Sequence, residues 1–129
     1  MKSHERAWQA WPVLALAARS RQLITYDILA KLTGMHAAGF GPILEQIQSY
    51  CLLNGLPPLS AVVVSKATGL PSTGFVAATG LDVPRAFQQV FEHDWLGTAC
   101  PSPETLASAA RQLPSNGVAT AAASSDSSA

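Results

Sequence analysis

Charge is what this chain has least of. Only 12% of its 129 residues are Asp, Glu, Lys or Arg, against about a quarter in a typical soluble domain. The formal net charge is zero, which excludes the strong basic excess of a sequence-blind nucleic-acid binder. A surface this poor in charge is either covered in part by a partner or sparsely soluble. Cysteine is scarce as well. Cys51 and Cys100 lack CxxC spacing, so they make neither a disulfide framework nor a zinc or redox motif. Cys51 falls in an apolar helical run and reads as a small buried hydrophobe. Long apolar runs are missing too. The stretch Trp8 to Ala18 (WQAWPVLALAA) is closed by Arg19 and Arg21 and is too short to span a bilayer. With no signal-peptide pattern either, the expectation is a cytoplasmic, reducing setting with no membrane contact.

The few charges are unevenly spread. Up to Lys31, the cations Lys2, Arg6, Arg19, Arg21 and Lys31 face only Glu5 and Asp27, a surplus of three. From Leu32 onward, Lys66, Arg85 and Arg111 face Glu45, Asp82, Glu92, Asp94, Glu104 and Asp126, a deficit of three. Any electrostatic footprint for an anion therefore belongs to the N-terminal third.

Helix and turn signals follow in a definite order. Trp8, Trp11, Leu14, Leu16 and Ala18 make an apolar first helix, with Pro12 expected in its first turn. Thr25 is an N-cap signal for a helix over Tyr26 to Thr33, which Gly34 closes and in which Ile28, Leu29 and Leu32 share a face. A longer helix is expected from about His36 or Ala37 to Leu53, its regular part starting as late as Pro42. After the rigid Leu56-Pro57-Pro58-Leu59 loop, Ala61 to Val64 is a β-branched strand signal. Lys66 to Pro71 has turn chemistry, and Gly74 to Ala77 is the expected returning strand. Asp82 and Ser102 then cap two further helices, reaching about His93 and Leu113, with Trp95 and Leu96 packing back between them. The expected class is α+β and mostly helical: a winged helix-turn-helix with a small β-wing and C-terminal helices, in one domain over residues 1–113. Residues 114–129 (PSNGVATAAASSDSSA) have too little apolar bulk to order and read as a disordered tail.

On these residues the segment Ile24 to Phe75 resembles the DNA-binding domain of alkylguanine-DNA alkyltransferases and alkyltransferase-like proteins. Ile24-Thr25-Tyr26 matches that family's helix start, and Ala37-Ala38-Gly39-Phe40-Gly41 its small-residue entry to the recognition helix. Pro58 and Val62-Val63 bracket the place of its active-site motif, and Lys66 to Phe75 that of its wing. The family's thiolate and the His that activates it are absent: the corresponding residues are Pro57-Pro58-Leu59-Ser60, and Ala38 stands where the family has its intercalating Arg. The resemblance thus implies DNA binding without alkyl transfer. It leaves Tyr26 as the counterpart of a residue that helps rotate a target nucleotide. The run Leu56 to Phe75 also resembles a pattern in small bacterial and phage-like proteins.

Other chemistry finds little support. Glu92-His93-Asp94 is a fragment of a metal site without the three or four ligands such sites need. Ser60 lacks a GxSxG context, and Thr68-Gly69-Leu70-Pro71 is no phosphate loop. A non-enzymatic protein with no cofactor is expected, and two functions stay open. One is weak duplex-DNA binding through Arg19, Arg21, Tyr26, Lys31, His36 and Lys66, with His36, Gln46, Gln48 and Ser49 as the only side chains available to read bases from the third helix. The other is a regulatory or adaptor module that docks a protein partner, or a second copy of itself, through an uncharged recognition helix.

Overall fold

Local signals set most of the helix boundaries in this computed structural model, which describes residues 2–36, 39–72 and 75–113. Helix α1 spans Ser3–Arg19, the short strand β1 spans Ile24–Thr25, and α2 spans Tyr26–Thr33. Helix α3 spans Phe40–Leu53 and is followed by a 3₁₀ turn over Leu59–Val62 and by strand β2 over Val63–Val64. Helices α4 (Phe75–Thr79), α5 (Val83–Glu92) and α6 (Pro103–Gln112) complete the order. The three expected caps are formed. Thr25 Oγ1 accepts the Ile28 N–H at 3.2 Å, Asp82 Oδ1 that of Arg85 at 2.8 Å, and Ser102 Oγ that of Thr105 at 3.1 Å. Each satisfies an amide that the helix itself leaves unpaired.

The molecule is mostly helical, with one two-stranded parallel sheet that pairs Ile24 with Val63 and Thr25 with Val64. Two strand expectations are corrected here. Ala61 and Val62 lie in the 3₁₀ turn, so the strand shrinks to Val63–Val64. The expected returning strand of the wing coincides with α4, which starts at Phe75; Gly74 lies outside the described residues. β2 thus finds its partner in β1, and the small sheet joins the helical body instead of projecting from it. Ala37 and Ala38, and the expected tail over 114–129, also lie outside the described residues.

Helix α1 begins nine residues before Pro12, which sits inside it on the exposed side. Proline has no amide to give the carbonyl four residues back, so the Trp8 carbonyl loses its helical donor where solvent can replace it. At the other end, the Arg21 N–H donates to the Ala18 carbonyl at 3.0 Å and the Gln22 N–H to the Ala17 carbonyl at 2.9 Å. This is the Schellman pattern, which suits a glycine, yet Arg21 occupies the left-handed position with φ 55°.

The core lies where α1, α3 and α6 pack on one another and the 3₁₀ turn packs against α1, α3 and α5. Trp11 of α1 is its centre. Its ring meets Tyr50 of α3 edge-on at 5.6 Å and Trp95 at 5.9 Å, the geometry that the ring quadrupoles favour. The Trp95 indole N–H donates to the Val90 carbonyl at 2.7 Å, so the turn after α5 is anchored at both ends of one side chain. Leu96, expected to pack beside it, points outward instead and is 69% exposed. Trp95→Ala is expected to lower stability by about 3–5 kcal/mol, read as a lower urea midpoint. Arg21→Gly is expected to raise stability by about 1 kcal/mol, because glycine adopts that backbone conformation without a Cβ clash.

Candidate functional site

Helix α3 is where a winged helix would present base-reading side chains, and this structure buries them. Gln46, Gln48 and Ser49 are all buried. The Gln46 amide donates to Ser3 Oγ at 2.9 Å, while its Oε1 has no partner among the described residues. The Ser60 hydroxyl donates to Gln48 Oε1 at 3.2 Å. Gln46 bonds to α1 and Gln48 to the 3₁₀ turn, so both are engaged inside the protein instead of standing free on the surface. Only His36 of that set remains exposed.

Ser60 is therefore a buried donor that satisfies Gln48, which explains a serine in a loop with no catalytic context. Cys51 is likewise structural. Burial pushes its thiol up to about 12, only partly offset by the Leu59 backbone amide that bonds to it. His93 Nε2 lies 2.7 Å from Thr98 Oγ1, and its ring packs against Trp95 at 4.4 Å. The Thr98 hydroxyl donates to the Asp94 carbonyl, so it accepts from His93, and the imidazole serves the turn. Among the described residues no group of three His, Cys, Asp or Glu side chains converges on a point.

The candidate DNA contacts fall in two places. Arg19 and Arg21 precede β1, and Lys66 follows β2. Because the strands run parallel, these cations lie at opposite ends of the small sheet. Lys31 sits in the last turn of α2, and His36 lies beyond it. Arg19, Arg21, Lys31, His36 and Lys66 are all exposed, and none makes a side-chain hydrogen bond or ion pair among the described residues. Tyr26 is half-buried against Phe40, with ring centroids 6.3 Å apart. Desolvation raises its phenol above the ordinary range, and the Ser72 hydroxyl beside it pulls the other way. Its aromatic ring helps to fix the start of α2 against α3.

A feature that sequence reasoning missed lies between α1 and α2. A groove of about 490 Å³ opens there, lined by Val13, Leu16, Ala17 and Ser20 of the first helix and its end, by Gln22, Leu23 and Ile24, and by Ile28 and Leu32 of α2. Leu16 is 61% exposed and Leu32 62%. Only Leu29 of the expected Ile28-Leu29-Leu32 face enters the core. On α2, Ile28 and Leu32 lie one turn apart and stay exposed, while Leu29 turns inward. Trp8, Pro12 and Leu16 are exposed on α1 at intervals of four, and of these Leu16 lines the groove. Arg19, Arg21 and Lys31 are exposed and stand next in sequence to the lining residues Ser20, Gln22 and Leu32. The arrangement has no nucleophile, acid–base pair or ligand set; what it offers is apolar surface with cations close by in sequence.

No protein-family profile matches the chain, and neither the curated proteins nor the solved structures include a match. The two thiols provide a direct check of burial. In native protein at pH 8, the exposed Cys100 should react with a thiol reagent and Cys51 only after unfolding, giving one fast equivalent and a second in denaturant. Because the native state holds the Cys51 proton up to about 12 while an unfolded thiol releases it near 9.0, stability is expected to fall as pH rises through that window.

Proposed function

We propose that this chain is a non-enzymatic protein-interaction module whose docking face is the groove between α1 and α2. One observation carries the reading. Leu16, Leu23, Ile28 and Leu32 are large hydrophobic side chains left exposed together along a single groove, whereas isolated exposed hydrophobics are ordinary. The low charge of the chain and the enclosure of α3 both support a partner-covered surface away from the expected recognition helix. In fold terms, the order of α2, α3 and the β1–β2 pair supports a winged-helix derivative, with α4 in place of the wing's return strand. Its relation to alkyltransferase-like proteins is proposed on the sequence run alone. Two free thiols suit a reducing, cytoplasmic setting, and no helix of the described residues is long and apolar enough to cross a membrane.

Leu16→Glu combined with Leu32→Glu should leave the fold intact, because both side chains are largely exposed, and should release any partner retained by immobilised wild-type protein. Retention unchanged by the pair would remove the groove from the interaction. A second reading, weak duplex-DNA binding, is favoured by four exposed cations, Arg19, Arg21, Lys31 and Lys66, that carry no partner among the described residues. Four phosphate contacts support binding that is strongly salt-dependent. Anisotropy of a labelled duplex should then rise at low salt, fall at physiological salt, and be lost in Lys31→Ala/Lys66→Ala; a flat titration at low salt would sink this second reading.

A further inference from the structure

We infer that the occupant of the groove is an amphipathic helix of another chain, leucine-like along one face and flanked by Asp and Glu. The inference rests on the groove being a docking face and adds the chemistry of what docks. Three features of the molecule converge on it.

The first is shape. The groove runs between two helices, and its lining follows helical intervals: Val13, Leu16, Ala17 and Ser20 on α1 and its end, and Ile28 and Leu32 on α2. From Val13 to Ser20 this lining is about 10 Å long at 1.5 Å per residue, enough to receive roughly two turns of a third helix. Side chains spaced by three and four on such a helix form ridges that fit between ridges of the same spacing.

The second is charge. Between residues 12 and 33, Arg19, Arg21 and Lys31 face one carboxylate, Asp27. These three cations are exposed and make no side-chain hydrogen bond or ion pair among the described residues, while Ser20 and Gln22 leave that end of the groove polar. Carboxylates along the edges of the docked helix would complement them, set its register and speed its approach. A second copy of this chain fits less well. Two-fold pairing of the groove with itself would bring the same cations together.

The third is the backbone at Arg21. A cationic side chain is held there in the left-handed conformation that glycine would adopt freely, directly between two groove-lining residues. This makes Arg21→Gly a useful probe, since it removes a positive charge while favouring the fold.

The test uses the full chain and two designed helical peptides about 16 residues long. Both carry leucines at intervals of three and four; one has Glu on both flanks and the other Lys. Fluorescence titration should show the Glu-flanked peptide binding at low salt and weakening with added salt. Arg21→Gly combined with Lys31→Ala should weaken it by about fivefold or more, and Leu16→Glu by about tenfold or more. Both variants are to be checked for native circular dichroism. Equal or tighter binding of the Lys-flanked peptide would overturn the acidic partner while leaving the groove as a docking face. If neither peptide binds and Leu16→Glu/Leu32→Glu releases no retained partner, the groove reading fails with it. A concentration-dependent dimer in sedimentation that Leu32→Glu dissolves would make the occupant a second copy and overturn the inference as well.

Discussion

Enclosure of α3 is the constraint on which the rest of this structure depends. Helices α1 and α6 and the 3₁₀ turn all pack against it, so a helix with polar residues in its middle has almost no free surface. Gln46, Gln48 and Ser49 must then be handled inside the protein, because a buried amide or hydroxyl without a partner costs about 1–3 kcal/mol. The Ser60–Gln48 and Gln46–Ser3 hydrogen bonds supply most of what is needed, and they tie the 3₁₀ turn and the start of α1 to the same helix. The helix is held from two directions by polar contacts and from a third by Trp11 against Tyr50.

That enclosure moves the available surface elsewhere. With α3 inside, Leu16, Leu23, Ile28 and Leu32 are exposed apolar side chains brought together between α1 and α2. α2 is short and gives only Leu29 fully to the core, so Ile28 and Leu32 line the groove. Arg19, Arg21 and Lys31 neighbour residues of this opening in sequence, and most of the carboxylates lie on later elements. The same geometry separates Lys66 from Arg19 and Arg21 across the parallel strand pair, which spreads these cations instead of gathering them on one face.

Much of the helical layout was legible in the chain. Thr25, Asp82 and Ser102 cap helices where their side-chain oxygens predict, and Gly34 ends α2 where a left-handed residue is needed. Burial of Cys51 and Trp95 followed from their apolar settings. Pro12 was misplaced because a proline signals a first turn most strongly, whereas a solvent-facing proline is tolerated within a helix whose other face is well packed. The return strand was misread because Phe75-Val76-Ala77 carries no decisive period in so short a run. The groove was not seen because Ile28, Leu29 and Leu32 look like one apolar face until the direction of the neighbouring helix is known.

Helix caps, turn residues and helical periodicity act over a few residues, so the sequence alone determined where α2, α5 and α6 begin and that the chain is mostly helical. It also determined that charge is scarce and divided between the two parts of the chain. Which side of each helix faces inward was decided only in the tertiary structure, because burial is a property of pairs of elements distant in sequence. The polar middle of α3 is interior because α1, α6 and Ser60 close over it, and the leucines of α1 and α2 stay exposed because no described segment of the chain covers them.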